Sequence, residues 1–260
     1  MNSILPSELL NIEDLNITYQ TTLTQHGSFR DRFVSFFSTK KSSYASLEVL
    51  ENFSLKVSKG QRVGILGVNG SGKTSLCRAI AGMYIPKKGH IQTYGEVRAI
   101  FDTGAALIPE LTGKENAFLL ARLLYPNIDN LKDIVEESLS FTELGKFIHM
   151  PFKNYSKGMQ ARLCLSLISA RPCDILVLDE VFDGADQFFQ AKISERVMNM
   201  IEASGAVIFV AHSTEQIRKT CNRLVVISNK KMAFDGEVEA GLEFYQALQN
   251  VSGDQIFLMQ

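Results

Sequence analysis

The sequence predicts an α/β fold built on a largely parallel sheet. Three runs carry that expectation: RVGILG, ILVLD and AVIFVAH, starting at Arg62, Ile175 and Ala206. They are almost wholly apolar and show no alternation, as expected of strands buried on both faces. Helical patterns separate them, and alternating β and α runs give a parallel sheet with helices on its faces.

In chain order, LNITY and FSLKV read as early strands, and RVGILG then enters a glycine-rich turn and a helix from about Lys73. Short strands are expected around GHIQTYGEVRAIF. Helices are expected at about residues 115–124 and 130–140, and another begins near Lys157. ILVLD is followed by a helix from about Gln187 to Ala203, then AVIFVAH. RLVVIS and KKMAFDGEV read as a hairpin before a last helix to about Gln249.

The segment 28–46, SFRDRFVSFFSTKKSSYAS, separates two early strands. Phe29, Phe33, Phe36 and Phe37 fall on one side of a helical projection, beside Arg30, Arg32, Lys40 and Lys41. That pattern fits an interfacial or partner-binding helix. It equally fits a surface helix whose phenylalanines pack on the protein's own core.

The 260 residues carry a formal net charge of −1 and 45% hydrophobic residues, enough for a sizeable core. Near-neutrality provides no global field for nucleic acid, so no nucleic-acid partner is expected. Cys77, Cys164, Cys173 and Cys221 lack metal or redox spacing and read as small buried hydrophobes in a reducing compartment. No secretory signal pattern opens the chain, and no apolar run reaches the roughly 18 residues of a membrane span.

GVNGSGKT, residues 67–74, matches G-x-x-x-x-G-K-[ST] between a buried strand and a helix. Gly67, Asn69, Gly70, Ser71 and Gly72 form a loop whose backbone N–H groups point inward around phosphate oxygens. The following helix adds its positive dipole end. Lys73 is placed to reach the β- and γ-phosphates and Thr74 to hold Mg²⁺, with Ser75 next to it. By itself this motif leaves GTPase, kinase, motor and transporter open. ILVLDE ends a buried strand in two acids. Asp179 is placed to hold Mg²⁺ and Glu180 to orient an attacking water, at the ligand-binding edge of the sheet. His212 closes the next buried strand. A lone histidine is usually structural, but beside two acids it is placed to bridge the γ-phosphate and the water.

YSKGM, residues 155–159, reads locally as a helix cap, with Ser156 accepting from an early N–H. Placed after a phosphate loop and shortly before an LDE strand, it resembles the signature loop of the ABC ATPases. The resemblance covers nearly the whole chain. It implies a P-loop NTPase with a RecA-like core, an antiparallel β subdomain and a helical signature subdomain at about residues 105–172, in a single nucleotide-binding domain over residues 1–260. It implies a head-to-tail homodimer with ATP held between one copy's phosphate loop and the other's Ser156 and Gly158. It further implies Tyr19 stacked on adenine, Asp186 in the loop that crosses the dimer, and His212 as the switch histidine.

The departures narrow the subfamily. The signature usually reads Leu-Ser-Gly-Gly-Gln, whereas here it is Tyr155, Ser156, Lys157, Gly158, Met159. Lys157 is either an aid to phosphate binding across the dimer or a solvated surface lysine. FDGADQFF gives the longer, glycine-containing crossing loop, and Asp102 or Thr103 lies near the place of the usual Gln. With the 28–46 insertion, these features resemble exporters of lipid-linked polymers such as teichoic acid, O-antigen and capsular polysaccharide. The implied protein is an ATPase at the cytoplasmic face of the cell membrane, docked to separately encoded membrane subunits partly through residues 101–124. An extra carbohydrate-binding domain, carried by some relatives, is not expected at this length. The alternatives are an ABC ATPase for another cargo, a soluble ABC ATPase of DNA repair or translation, and a nucleotide-binding regulator without turnover.

Overall fold

A computed structural model describes residues 7–22, 44–101, 107–179, 187–210 and 213–257. Two sheets organise them. A three-stranded antiparallel sheet has the order β2-β1-β4, from β1 (Glu8–Thr22), β2 (Tyr44–Ser58) and β4 (Lys88–Thr93). A six-stranded sheet has the order β5-β6-β7-β3-β8-β9. Its members are β3 (Arg62–Gly67), β5 (Val97–Ile100), β6 (Ile175–Asp179), β7 (Ala206–Val210), β8 (Arg223–Ser228) and β9 (Lys231–Gly236). All pairings in it are parallel except β8 with β9. Asn229 and Lys230, at φ 47° and 64°, make that reversal, matching the positive φ that a two-residue hairpin turn demands.

The apolar strands are buried on both faces, and alternate residues serve different cores. Ile175 and Val177 of β6 face a core shared with the antiparallel sheet and helix α1 (Lys73–Ile80). Leu176 and Leu178 face the opposite core. That second core is covered by α2 (Gly113–Leu124), α3 (Lys132–Thr142), α4 (Lys157–Ile168) and α5 (Gln187–Ala203). Helix α6 (Thr214–Thr220) and α7 (Val238–Phe257) close the far end beside β8 and β9. Each wholly buried Leu, Ile or Val contributes about 1.5–3 kcal/mol, so two-sided burial makes these short strands strongly stabilising for their length.

The helical layer is tied back to the sheet by polar contacts. Helix α2 begins at Gly113, two residues before the expected start, because Thr112 and Glu115 form a capping box. The fully buried Asn116 accepts from the N–H of Ile108 and donates to the carbonyls of Ile108, Leu111 and Thr112. It thereby fixes the turn that leads into the helix. Arg98 of β5 is buried under the ring of Tyr125 and donates to the carbonyls of Leu124 and Arg171. Its charge is matched by Glu96 at 2.5 Å.

Two expectations shift. The insertion's last residues, Tyr44 to Ser46, belong to β2, where they pair with Thr22, Thr21 and Gln20. Residues 28–43, with Phe29, Phe33, Phe36 and Phe37, lie outside the described residues. Cys173 is only half-buried, whereas Cys77, Cys164 and Cys221 are buried; all four are free thiols, as expected.

Candidate functional site

The centre of the site is the turn from β3 into α1. Gly70 and Gly72 adopt φ values of 80° and 102°, in the left-handed region that glycine enters without a steric penalty. A Cβ at Gly67 would lie 2.5 Å from Ser71 Oγ and 2.6 Å from the carbonyl of Ile227. These glycines therefore let the loop fold tightly over the end of the sheet. Gly72 caps α1 without any side-chain hydrogen bond, so the helix start keeps its N–H groups for an anion. Ser71 Oγ is buried and has no hydrogen-bond partner among the described residues. Asn69 and Gly70 are exposed at the rim.

Lys73 is almost wholly buried and curls back across the loop. Its Nζ donates to the carbonyl of Gly67 at 2.7 Å and to that of Val68 at 3.2 Å. Thr74 and Ser75 are half-buried on the first turn of α1. The hydroxyl of Tyr19, at the far end of β1, donates to Ser75 Oγ at 3.2 Å. The adenine-side aromatic expected from sequence thus stands next to the phosphate loop.

Asp179 ends β6 and is only 4% exposed. The thiol of Cys77, buried beneath α1, senses this carboxylate. Burial raises the thiol pKa well above its ordinary value, Asp179 raises it further, and Lys73 pulls it down. The strand-end acid and the loop lysine therefore both lie within electrostatic reach of the buried face of α1. A hydroxyl from Thr74 and a carboxylate from Asp179 are hard oxygen donors suited to Mg²⁺. Among the described residues no group of three or more His, Cys, Asp or Glu could hold a metal alone. That donor set fits a cation whose remaining ligands are water and substrate phosphate.

The signature turn stands on the helical layer. Ser156 is exposed and caps α4, accepting from the N–H of Met159 at 3.2 Å. That bond uses an oxygen lone pair and leaves the hydroxyl proton free to donate. Gly158 lies half-buried on the first turn. Among the described residues no hydrogen bond joins Ser156 to the phosphate loop of its own chain. Tyr155 anchors the turn from beneath. It is buried, donates to the carbonyl of Phe147 at 2.8 Å and packs on Phe152 with ring centres 5.3 Å apart. A Cβ at Gly113 would come within 1.9 Å of its hydroxyl oxygen, so α2 and the signature turn fit each other only because residue 113 is glycine.

The structure thus brings together Tyr19, Gly67, Ser71, Gly72, Lys73, Thr74, Ser75 and Asp179, and sets Ser156 and Gly158 on a separate element. Glu180, Asp186 and His212, together with Asp102 and Thr103, lie outside the described residues. Sequence reading expected Cys77 to be buried but missed its electrostatic link to Asp179, and it missed Asn116 and the anchoring role of Tyr155. Nothing in the sequence marks the first. The other two carried a signal: the TGKEN capping pattern, and an aromatic where the related signature has Leu.

Comparison with known proteins decides the family. The ABC transporter family model matches residues 50–183, from the middle of β2 through the phosphate loop and signature to just past the strand-end acids. The chain belongs to the ABC transporter family. This ABC protein is 36% identical over 197 residues to the O-antigen export system ATP-binding protein RfbB of Klebsiella pneumoniae, covering 76% of the chain and 80% of that relative. It is 33% identical over 239 residues to the teichoic acids export ATP-binding protein TagH of Staphylococcus epidermidis, covering 92% and 88%. Its fold matches the dimeric, post-hydrolysis structure of the ATP-binding cassette MJ0796 bound to ADP and Pi, with a TM-score of 0.65, 19% identity and coverage of 88% and 99%. The ABC ATPase fold expected from the sequence is therefore present, with its antiparallel sheet, parallel core and helical signature layer.

Proposed function

We propose that this chain is the ATP-binding and hydrolysing subunit of an exporter that moves a lipid-linked polysaccharide or wall polymer of the teichoic acid, O-antigen or capsule type across the cytoplasmic membrane. One observation carries the enzymatic half: an uncapped, glycine-cradled helix start with Lys73 folded over it, and Asp179 delivered to the same place by a buried parallel strand. The names of the O-antigen and teichoic acid relatives support the cargo class.

In this reading the loop N–H groups, Ser71 and Lys73 bind the phosphates, and Tyr19 stacks on the base. Thr74 and Asp179 hold Mg²⁺, which when bound neutralises charge on the phosphate oxygens. Glu180 orients the water for attack on the γ-phosphate and His212 holds the γ-phosphate. Phosphoryl transfer needs little beyond such positioning and charge neutralisation. Ser156 donates its free hydroxyl proton, with the Gly158 N–H, to a triphosphate bound by a second copy, and Asp186 couples the two sites. The whole chain acts as one nucleotide-binding unit. ATP binding closes the pair, hydrolysis reopens it, and the movement passes to separately encoded membrane subunits. No helix among the described residues is long and apolar enough to cross a membrane, which is consistent with a peripheral subunit on the cytoplasmic face.

The test combines enzyme and cell. Purified chain should hydrolyse ATP, and Glu180→Gln should abolish turnover while retaining ATP binding. Cells carrying only that variant should lose surface polymer and accumulate the lipid-linked precursor inside. Normal surface polymer in those cells would refute the cargo assignment, and unchanged turnover would refute the role of Glu180.

A further inference from the structure

Tyr84 lies in the short connection between α1 and β4, outside every motif discussed above. Its hydroxyl makes two bonds to a single residue. It accepts from the backbone N–H of Thr18 at 3.0 Å and donates to the carbonyl of Thr18 at 2.9 Å. Its ring packs against that of Tyr19, with centroids 5.6 Å apart and planes tilted by 56°.

Thr18 sits where β4 stops supporting β1. Pairing of β1 with β4 is last recorded at Asn16 opposite Lys88. On the other edge, pairing of β1 with β2 slips register between Ile17 and Thr18. The backbone that presents Tyr19 is therefore past one ladder and on an irregularity of the other. Pairing with β2 goes on from Thr18 opposite Glu48 to Thr22 opposite Tyr44, so this stretch of backbone is held by the sheet on one side only. A phenol hydroxyl, with one donor and acceptor lone pairs, takes the place of the missing strand by satisfying both backbone groups of Thr18 at once. Meanwhile the hydroxyl of Tyr19 reaches Ser75 on the first turn of α1. The ring of Tyr19 is thus held from two sides, by Tyr84 after the end of α1 and by Ser75 at its beginning.

We infer that Tyr84 is a positioning residue for nucleoside recognition: it locks the Thr18–Tyr19 backbone so that the Tyr19 ring stands at a fixed distance from the phosphate loop. The inference rests on the reading of Tyr19 as the base-stacking aromatic. Stacking on an aromatic face accepts any base, so Tyr84 governs how tightly a nucleotide is held and not which base is chosen.

Tyr84→Phe tests this with little disturbance, because the ring stays and only the hydroxyl goes. Loss of the two bonds should raise KM for ATP about 3- to 10-fold with kcat nearly unchanged. Inhibition by inorganic tripolyphosphate, which has phosphates but no base, should be unaltered, and the thermal midpoint should fall by only about 2–4 °C. Tyr19→Ala should raise KM for ATP, and adding Tyr84→Phe to it should have no further effect. If Tyr84→Phe weakens tripolyphosphate as much as ATP, or adds its full effect on the Tyr19→Ala background, the positioning role is overturned. If Tyr19→Ala raises KM and Tyr84→Phe does not, Tyr84 alone loses its role. If Tyr19→Ala leaves KM unchanged, the reading of Tyr19 falls, and this inference with it.

Discussion

Asp179 on β6 stands level with Val210 on β7, and Val210 is in turn level with Ile65 on β3, two residues before the phosphate loop begins at Gly67. The acid and the loop are therefore fixed to one sheet edge by two parallel ladders, with a single strand between them. Their separation cannot drift unless the core strands come apart.

Asp179→Asn should separate function from stability. The carboxylate is buried, and burying a charge is costly unless it is compensated. Asparagine keeps the size and one acceptor oxygen of the side chain, so the variant should still melt as a folded, cooperative protein. Mg²⁺-dependent ATP hydrolysis should fall on the order of 100-fold or more, since the proposed ligand of the catalytic cation is lost. A steady-state assay and a melting curve on the same preparation check both halves.

Mixed dimers distinguish a shared site from a self-contained one. Ser156→Ala and Lys73→Ala should each be inactive alone. Mixed in equal amounts, they should regain activity, because a heterodimer pairs one intact Lys73 with the partner's intact Ser156. A site complete within one chain would give no recovery. Ser156→Ala should also cost about 1 kcal/mol through the lost cap on α4, read from urea unfolding.

Gly113→Ala runs against ordinary helix preference. Alanine inside a helix normally gains up to about 1 kcal/mol over glycine. Here the new methyl would collide with the hydroxyl of Tyr155, so we expect a loss of roughly 1–3 kcal/mol and a displaced signature turn. ATP hydrolysis should drop while nucleotide binding by the phosphate loop persists. Adding Tyr155→Leu should restore much of the stability, because the clashing hydroxyl and ring edge are gone.

Stability should fall in mild alkali. Burial pushes the thiol of Cys173 up to about 11 and that of Cys221 up to about 12, and Cys77 is also raised well above its ordinary value. An unfolded thiol loses its proton near pH 8.5, whereas the folded thiols keep theirs. The stability these thiols contribute is therefore complete below about pH 8.5 and is lost as pH rises toward the folded values. Each contributes a slope of up to about 1.4 kcal/mol per pH unit. Denaturant unfolding at pH 8, 9 and 10 should show the decline, and Cys77→Ala should make it shallower.

Much of this was legible in residues taken one after another. Apolar runs without alternation marked β3, β6 and β7, and the structure buries both their faces. The helix expected at about Gln187 to Ala203 spans Gln187–Ala203. Lys73, Thr74 and Asp179 were named from spacing because phosphate binding imposes the same local backbone wherever it occurs. Boundaries set by side-chain chemistry were less visible. The start of α2 was displaced by two residues, since the Thr112–Glu115 capping box extends the helix before its apolar period begins.

The strands, the phosphate loop, the strand-end acid and the signature turn are all legible locally, because each depends on neighbours within a few residues. Long-range packing sets Tyr84 against the backbone of Thr18, fits Tyr155 against Gly113, and brings both Lys73 and Asp179 within electrostatic reach of Cys77. Those contacts join residues tens of positions apart, and they form only once two sheets and a helical layer have packed to a common density. No local pattern in the chain encodes such packing.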